Sequence, residues 1–172
     1  MTGRDREAER WIGRFAELRS RVGERIAAQL GSATACFLRI MPSRYRVYGA
    51  RCQTGALLYG DLGLSLPAGL EPERWAVELD RHMLMQLRPD HVFLMVDPMP
   101  DSRRRLRELT HSEQWRKWRP VKNGCIYRAD DYLYAALGTA GRIATIDHAA
   151  GQLGVDVRGI VQAYLEEISI AR

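Results

Sequence analysis

The chain has 172 residues, 46% of them hydrophobic and 27% charged, which suits one domain with a real core and is too apolar for a disordered chain. Net charge is +5, and all but two of the 26 basic residues are arginine, the exceptions being Lys117 and Lys122. Acids are interspersed among them and the one dense basic run is Arg103-Arg104-Arg105, so this segment is not expected to bind nucleic acid directly.

No uninterrupted apolar run reaches membrane-spanning length, and the opening MTGRDREAERW lacks the apolar core of a signal peptide. Cys36, Cys52 and Cys125 are odd in number and far apart, matching neither a disulfide framework nor a zinc site. Cys36 and Cys125 lie in apolar pulses and are read as small core residues.

Residues 4–30 read as one long helix. Trp11, Phe15, Leu18, Val22, Ile26 and Leu30 recur at helical spacing as a single apolar stripe, and Gly31 is a stop. The period then changes. Residues 33–41 form a nearly continuous apolar run, the pattern of a strand covered on both faces. Pro42-Ser43 turns the chain into an extended segment, Arg44 to Tyr48, whose alternation puts Arg44, Arg46 and Tyr48 on one face. A short helix is expected over 54–62 and a longer one over 73–87, with Trp75, Leu79, His82, Met83 and Gln86 on one side and His82 packed.

Residues 91–96 read as a second buried strand, closed by Asp97-Pro98. Helices are expected over about 102–109 and 112–118, the latter with Ser112 as N-cap. The Asn123-Gly124 turn leads into a brief strand at 125–128, and two helices, about 139–153 and 156–170, finish the chain. Strands alternating with helices imply an α/β domain with a mainly parallel sheet.

Open α/β sheets bind ligands beyond the carboxyl ends of their strands. One such end carries Arg39 and runs into Arg44; the other ends at Asp97. Arg39, Arg44, Arg46 and Arg51 could therefore gather around one crevice and favour an anionic, oxygen-rich ligand, or they could form a solvated basic edge strand. Tyr132 and Tyr134 point the same way if extended and would make a floor for a flat ligand, or they pack in the core. His82, His91, His111 and His148 do not cluster, and no HExxH, GxSxG, P-loop or GxGxxG is present, so no catalytic or metal residues are assigned and no enzyme is expected.

The segments RYRVYGARCQTGALLYGDLGL, RPDHVFLMVDP and SEQWRKWRPVKNGCIYRADDYLY, followed by a helix containing Ile146-Asp147-His148, give the chain a resemblance over residues 8–153. It resembles the C-terminal lobe of iron–siderophore substrate-binding proteins of ABC importers, especially the versions fused to AraC-type regulators. The resemblance implies a Rossmann-like three-layer lobe (32–153) preceded by a connector helix (1–31) and followed by an additional C-terminal helix (154–172) packed on the same domain. It implies a non-catalytic lobe for a ferric siderophore, contacted by Arg39, Arg44, Arg46, Arg51, Tyr132 and Tyr134, with iron held by the siderophore's own oxygens and no cofactor on protein side chains. The partners implied are an N-terminal lobe or an ABC permease, with self-association possible. The compartment implied is extracytoplasmic for a receptor and cytoplasmic for a regulator. The alternative is a protein-interaction or dimerisation module that keeps the lobe fold without binding siderophore.

Overall fold

The apolar stripe of the first helix decides what it lies against. A computed structural model describes residues 3–71, 73–129 and 138–170. In it α1 runs from Gly3 to Leu30, 28 residues, and so extends about 42 Å at the standard rise. Leu18, Val22 and Ile26 are buried, with Phe15 and Leu30 packed beside them, whereas Ile12 nearer the amino end is 70% exposed. The helix is thus anchored by its C-terminal half.

A five-stranded sheet follows, in the order β3-β2-β1-β4-β5. Its strands are β1 (Ala35–Ile40), β2 (Tyr45–Tyr48), β3 (Ala76–Leu79), β4 (His91–Val96) and β5 (Ile126–Arg128). β1 pairs in parallel with β4 and β4 with β5, while β2 is antiparallel to both β1 and β3. Four strands therefore share one direction and β2 alone is reversed, as a short hairpin after β1 requires.

Alternation along the strands builds two cores. Ala35, Phe37, Tyr48, Phe93 and Met95 face α1, α7 (Thr139–Gln152) and α8 (Arg158–Ile170). Cys36, Leu38, Ile40, Val47 and Val92 face α3 (Arg81–Gln86), α4 (Pro100–Thr110) and the short α5 (Glu113–Lys117), with Leu84, Leu109 and Trp115 opposite them. A further short helix, α6 (Arg119–Lys122), leads to β5. The result is the expected three-layer α/β lobe. Cys36 is fully buried and its thiol is pushed up to about 12 by burial, so it is an inert core residue; Cys125 is only partly buried.

Residues 73–87 depart from the expected single helix. Ala76–Leu79 is β3, and only Arg81–Gln86 is helical, capped by Asp80 Oδ1 accepting the Met83 amide at 2.8 Å. Trp75, Val77 and Leu79 also fit a period of two, and the open edge of β2 supplies the ladder that selects it. His82 consequently does not pack: it lies exposed on α3, 2.9 Å from Gln86 Nε2.

Between β2 and β3 the chain makes a short helix, α2 (Gln53–Gly55), that widens into a π-helical stretch (Ala56–Asp61). Gly55 is required there, because a Cβ would sit 1.9 Å from the Gly49 carbonyl oxygen. The wide turn, closed by Leu62 N–H donating to Leu57 O, swings Asp61 inward until nothing of it is exposed. Arg19 of α1 forms an ion pair with Asp61 Oδ1 at 2.7 Å, and Arg142 of α7 donates to Oδ2. One buried carboxylate thus ties two helices to the wide turn. α8 lies against α1, where Tyr164 meets Phe15 edge-on at 6.4 Å and Arg14 donates to the Glu167 carbonyl at 3.0 Å.

Candidate functional site

The β1–β2 hairpin determines which arginines meet. Arg39 of β1 is in register with Arg46 of β2, and Arg46 with Glu78 of β3. Registered partners share a face, so this line of side chains runs across the carboxyl end of β1. Arg44, at the hairpin tip, joins it: its Nη1 donates to Glu78 Oε2, and Arg46 Nη2 donates to Glu78 Oε1 at 2.6 Å. Hydrogen bonds from Arg46 and then Arg44 hold the Glu78 carboxyl below the usual carboxylate range, and the same bond raises Arg46.

Arg39 is committed elsewhere. Its Nε donates to Asp97 Oδ1 at 2.6 Å, and its Nη1 to Tyr48 Oη at 3.2 Å. Asp97 stands immediately after β4, so the pair bridges the carboxyl ends of β1 and β4. Trp75, just before β3, flanks Arg46 on the side away from the carboxyl end. It is 55% exposed, its ring is edge-on to Tyr48 at 5.4 Å, and the Arg46 guanidinium lies 5.9 Å from it.

Three of the four arginines expected at the site are therefore together. Arg51 is not with them: it follows the opposite end of β2, is exposed, and pairs with Glu73 at 3.5 Å. Tyr132 and Tyr134 lie outside the described residues.

A cavity lies beside this rim, lined from both faces of the sheet. It occupies about 820 Å³ beyond the carboxyl ends of β4 and β5, under the first turns of α4. Leu94, Val96, Leu106 and Ile126 give it an aliphatic wall, while Asp97, Arg103 and Arg128 bring charge to its edge. Asp97 is the shared element, lining the cavity and holding Arg39. Arg103 stands in the first turn of α4 and has neither an ion pair nor a side-chain hydrogen bond among the described residues. Sequence reading had placed Arg103 only in a basic run; the signal that could have found it is its position just beyond the Asp97-Pro98 stop of a buried strand. Among the described residues, no three His, Cys, Asp or Glu side chains converge as a metal site, and no helix is long and apolar enough to cross a membrane.

A different polar group occupies the amino end of the sheet. His91 Nδ1 lies 2.9 Å from Tyr127 Oη with the rings stacked, and Asp90 accepts hydrogen bonds from Thr34 N–H and Oγ1 at 2.8 and 2.9 Å. These contacts fasten β1, β4 and β5 together.

No family model matches the chain. It is similar to an iron-uptake system-binding protein of Bacillus subtilis (strain 168), with 23% identity over 129 residues, covering 74% of this chain and 41% of that protein. Among solved structures it superposes on Staphylococcus aureus SirA with a TM-score of 0.73 at 20% identity, covering 90% of this chain and 61% of the other. It also superposes on the triscatecholate siderophore-binding protein FeuA of Bacillus subtilis, complexed with ferri-bacillibactin. There the TM-score is 0.67 at 24% identity, over 89% of this chain and 55% of that one. The chain thus spans less than two thirds of the length of each of these proteins, and what it shares with the solved structures is the fold.

Proposed function

We propose that this chain is a binding lobe for a ferric siderophore and performs no chemistry on its ligand. The observation that carries the reading is the cavity of about 820 Å³ with a charged edge at the carboxyl ends of β4 and β5, in a lobe whose fold is shared with siderophore-binding proteins. Iron enters as cargo, coordinated by the siderophore's oxygens. The protein's part is to offer an apolar wall to the ligand's organic body and guanidiniums to its oxygens. Of the residues expected from sequence, Arg39, Arg44 and Arg46 form a positive rim beside the cavity.

In the longer proteins that resemble it, such a lobe works opposite a second lobe and beside an ABC permease; those partners, and the AraC-type regulator context, belong to this proposal. A lobe acting alone binds weakly, because half the contacts are missing, with a Kd of about micromolar or weaker. Equilibrium dialysis of the chain against radio-iron-loaded siderophores, with the iron-free forms as competitors, tests the reading. Saturable retention of at least one ferric complex supports it; no retention of hydroxamate, catecholate or carboxylate complexes refutes it. The reading favours an extracytoplasmic site for a receptor and a cytoplasmic one for a regulator, and the flanking reading frame distinguishes these.

A second reading, an interaction or dimerisation module, draws on Trp75, whose exposed ring adjoins the unpaired edge of β3. Light scattering that gives twice the chain's 19.6 kDa mass, lost on Trp75→Ser, would favour it.

A further inference from the structure

The arginines that mark the carboxyl end of the sheet are already occupied by carboxylates of the same chain. Glu78 serves Arg44 and Arg46, and Asp97 serves Arg39, so three guanidiniums face two acids. Arg39 and Arg46 alternate with Leu38, Ile40 and Val47, which point toward α4, so their side chains leave the sheet on the α1 side. The cavity opens beyond the carboxyl ends of β4 and β5 and draws lining from both faces, with the first turns of α4 over it. Its wall is aliphatic, and the Asp97 carboxylate sits at its edge. Arg103 is the guanidinium there with no protein partner among the described residues.

Resting on the reading of the chain as a siderophore lobe, we infer that Arg103, rather than Arg39, Arg44 or Arg46, takes the ligand's negatively polarised oxygens, and that the cavity selects a ferric complex of low net charge, a trihydroxamate, over a trianionic tris-catecholate. The physical reason is desolvation. A triply charged complex must give up strongly held water to enter an aliphatic cavity, and it needs several uncompensated cations in return. The cavity provides Arg103 at the positive end of α4, with Arg128 nearby engaged in contacts of its own. Asp97 is matched by Arg39, so that pair adds no net positive charge at the cavity's edge. A neutral trihydroxamate loses little hydration, lays its aliphatic spacers against Leu94, Val96, Leu106 and Ile126, and needs one forked donor for its carbonyl or N–O oxygens.

Isothermal titration of the full chain with ferrichrome, a neutral ferric trihydroxamate, and with ferri-bacillibactin, a ferric tris-catecholate, tests this. Ferrichrome should bind at least about tenfold more tightly. Arg103→Gln should weaken ferrichrome by about tenfold, Arg103→Lys should restore part of the loss, and Arg44→Gln should change it by less than about twofold. Near-ultraviolet dichroism confirms that each variant is folded. Glu78→Gln should likewise change ferrichrome affinity by less than about twofold, and a larger change counts against the inference. Tighter binding of the tris-catecholate by the unaltered chain, or an Arg44→Gln loss as large as that of Arg103→Gln, overturns the inference and leaves the siderophore reading standing. Failure of both complexes to bind removes the inference, and the siderophore reading falls with it only if carboxylate complexes also fail to bind.

Discussion

The molecule contains the same motif twice, an acid between two arginines, in opposite surroundings. Asp61 sits between Arg19 and Arg142 with no exposure at all, whereas Glu78 sits between Arg44 and Arg46 with 41% of its side chain in solvent. At the first, a buried charge has no substitute partner in water, so the set is structural and couples α1 and α7 to the π-helical turn. At the second, water and salt screen the pairing, so it adds little to stability. Burial, not composition, separates a clamp from an adjustable surface.

The largest expected effect breaks the buried set. Asp61→Asn removes the buried counter-charge of two guanidiniums that are themselves 39% and 28% exposed, and should cost about 2–4 kcal/mol, read from urea unfolding. Gly55→Ala tests the seat of the same turn. A methyl cannot fit 1.9 Å from the Gly49 carbonyl, so α2 must shift, at a cost of about 1–3 kcal/mol.

A third prediction concerns the polar group at the amino end of the sheet. Burial lowers the His91 pKa in the folded state, with the Asp90 charge opposing. The unfolded chain therefore takes up a proton first as pH falls past 6.5, and stability should decline on acidification from neutral. Unfolding curves across that window should slope less steeply for His91→Phe than for the unaltered chain. The smallest effect is at the exposed set: Glu78→Gln should leave the unfolding midpoint without measurable change. A midpoint shift comparable with that of Asp61→Asn would erase the distinction drawn here.

The same pair of acids shows what the sequence could and could not disclose. The helix stripe of α1, the apolar runs of β1 and β4 and the stop at Asp97 are local patterns, and the fold followed from them. Arg39, Arg44 and Arg46 could be placed at one end of the sheet because a tight hairpin fixes their alternation. Their neutralisation could not be read, since Trp75 to Leu79 suits a helix as well as a strand, and the choice is made by pairing with β2. Misplacing β3 hid Glu78, and hiding Glu78 made the rim look more cationic than it is. Asp61 was invisible for a related reason: one extra residue in a helical turn, not a motif, carries it inside. Arg103 passed as part of a basic run because its lack of a partner among the described residues depends on the fold around it.

The central claim is that a ferric siderophore occupies the cavity at the carboxyl ends of β4 and β5. Ferric iron broadens the nuclear resonances of nearby amides, so its position can be read directly from amide spectra of the chain with and without an iron-loaded siderophore, using a gallium-loaded one as the diamagnetic control. The account predicts loss of the amides of Leu94, Asp97, Arg103 and Arg128, with those of Gly55, Asp61 and His91 retained. Broadening centred on the latter group, or none anywhere at saturating ligand, would contradict it.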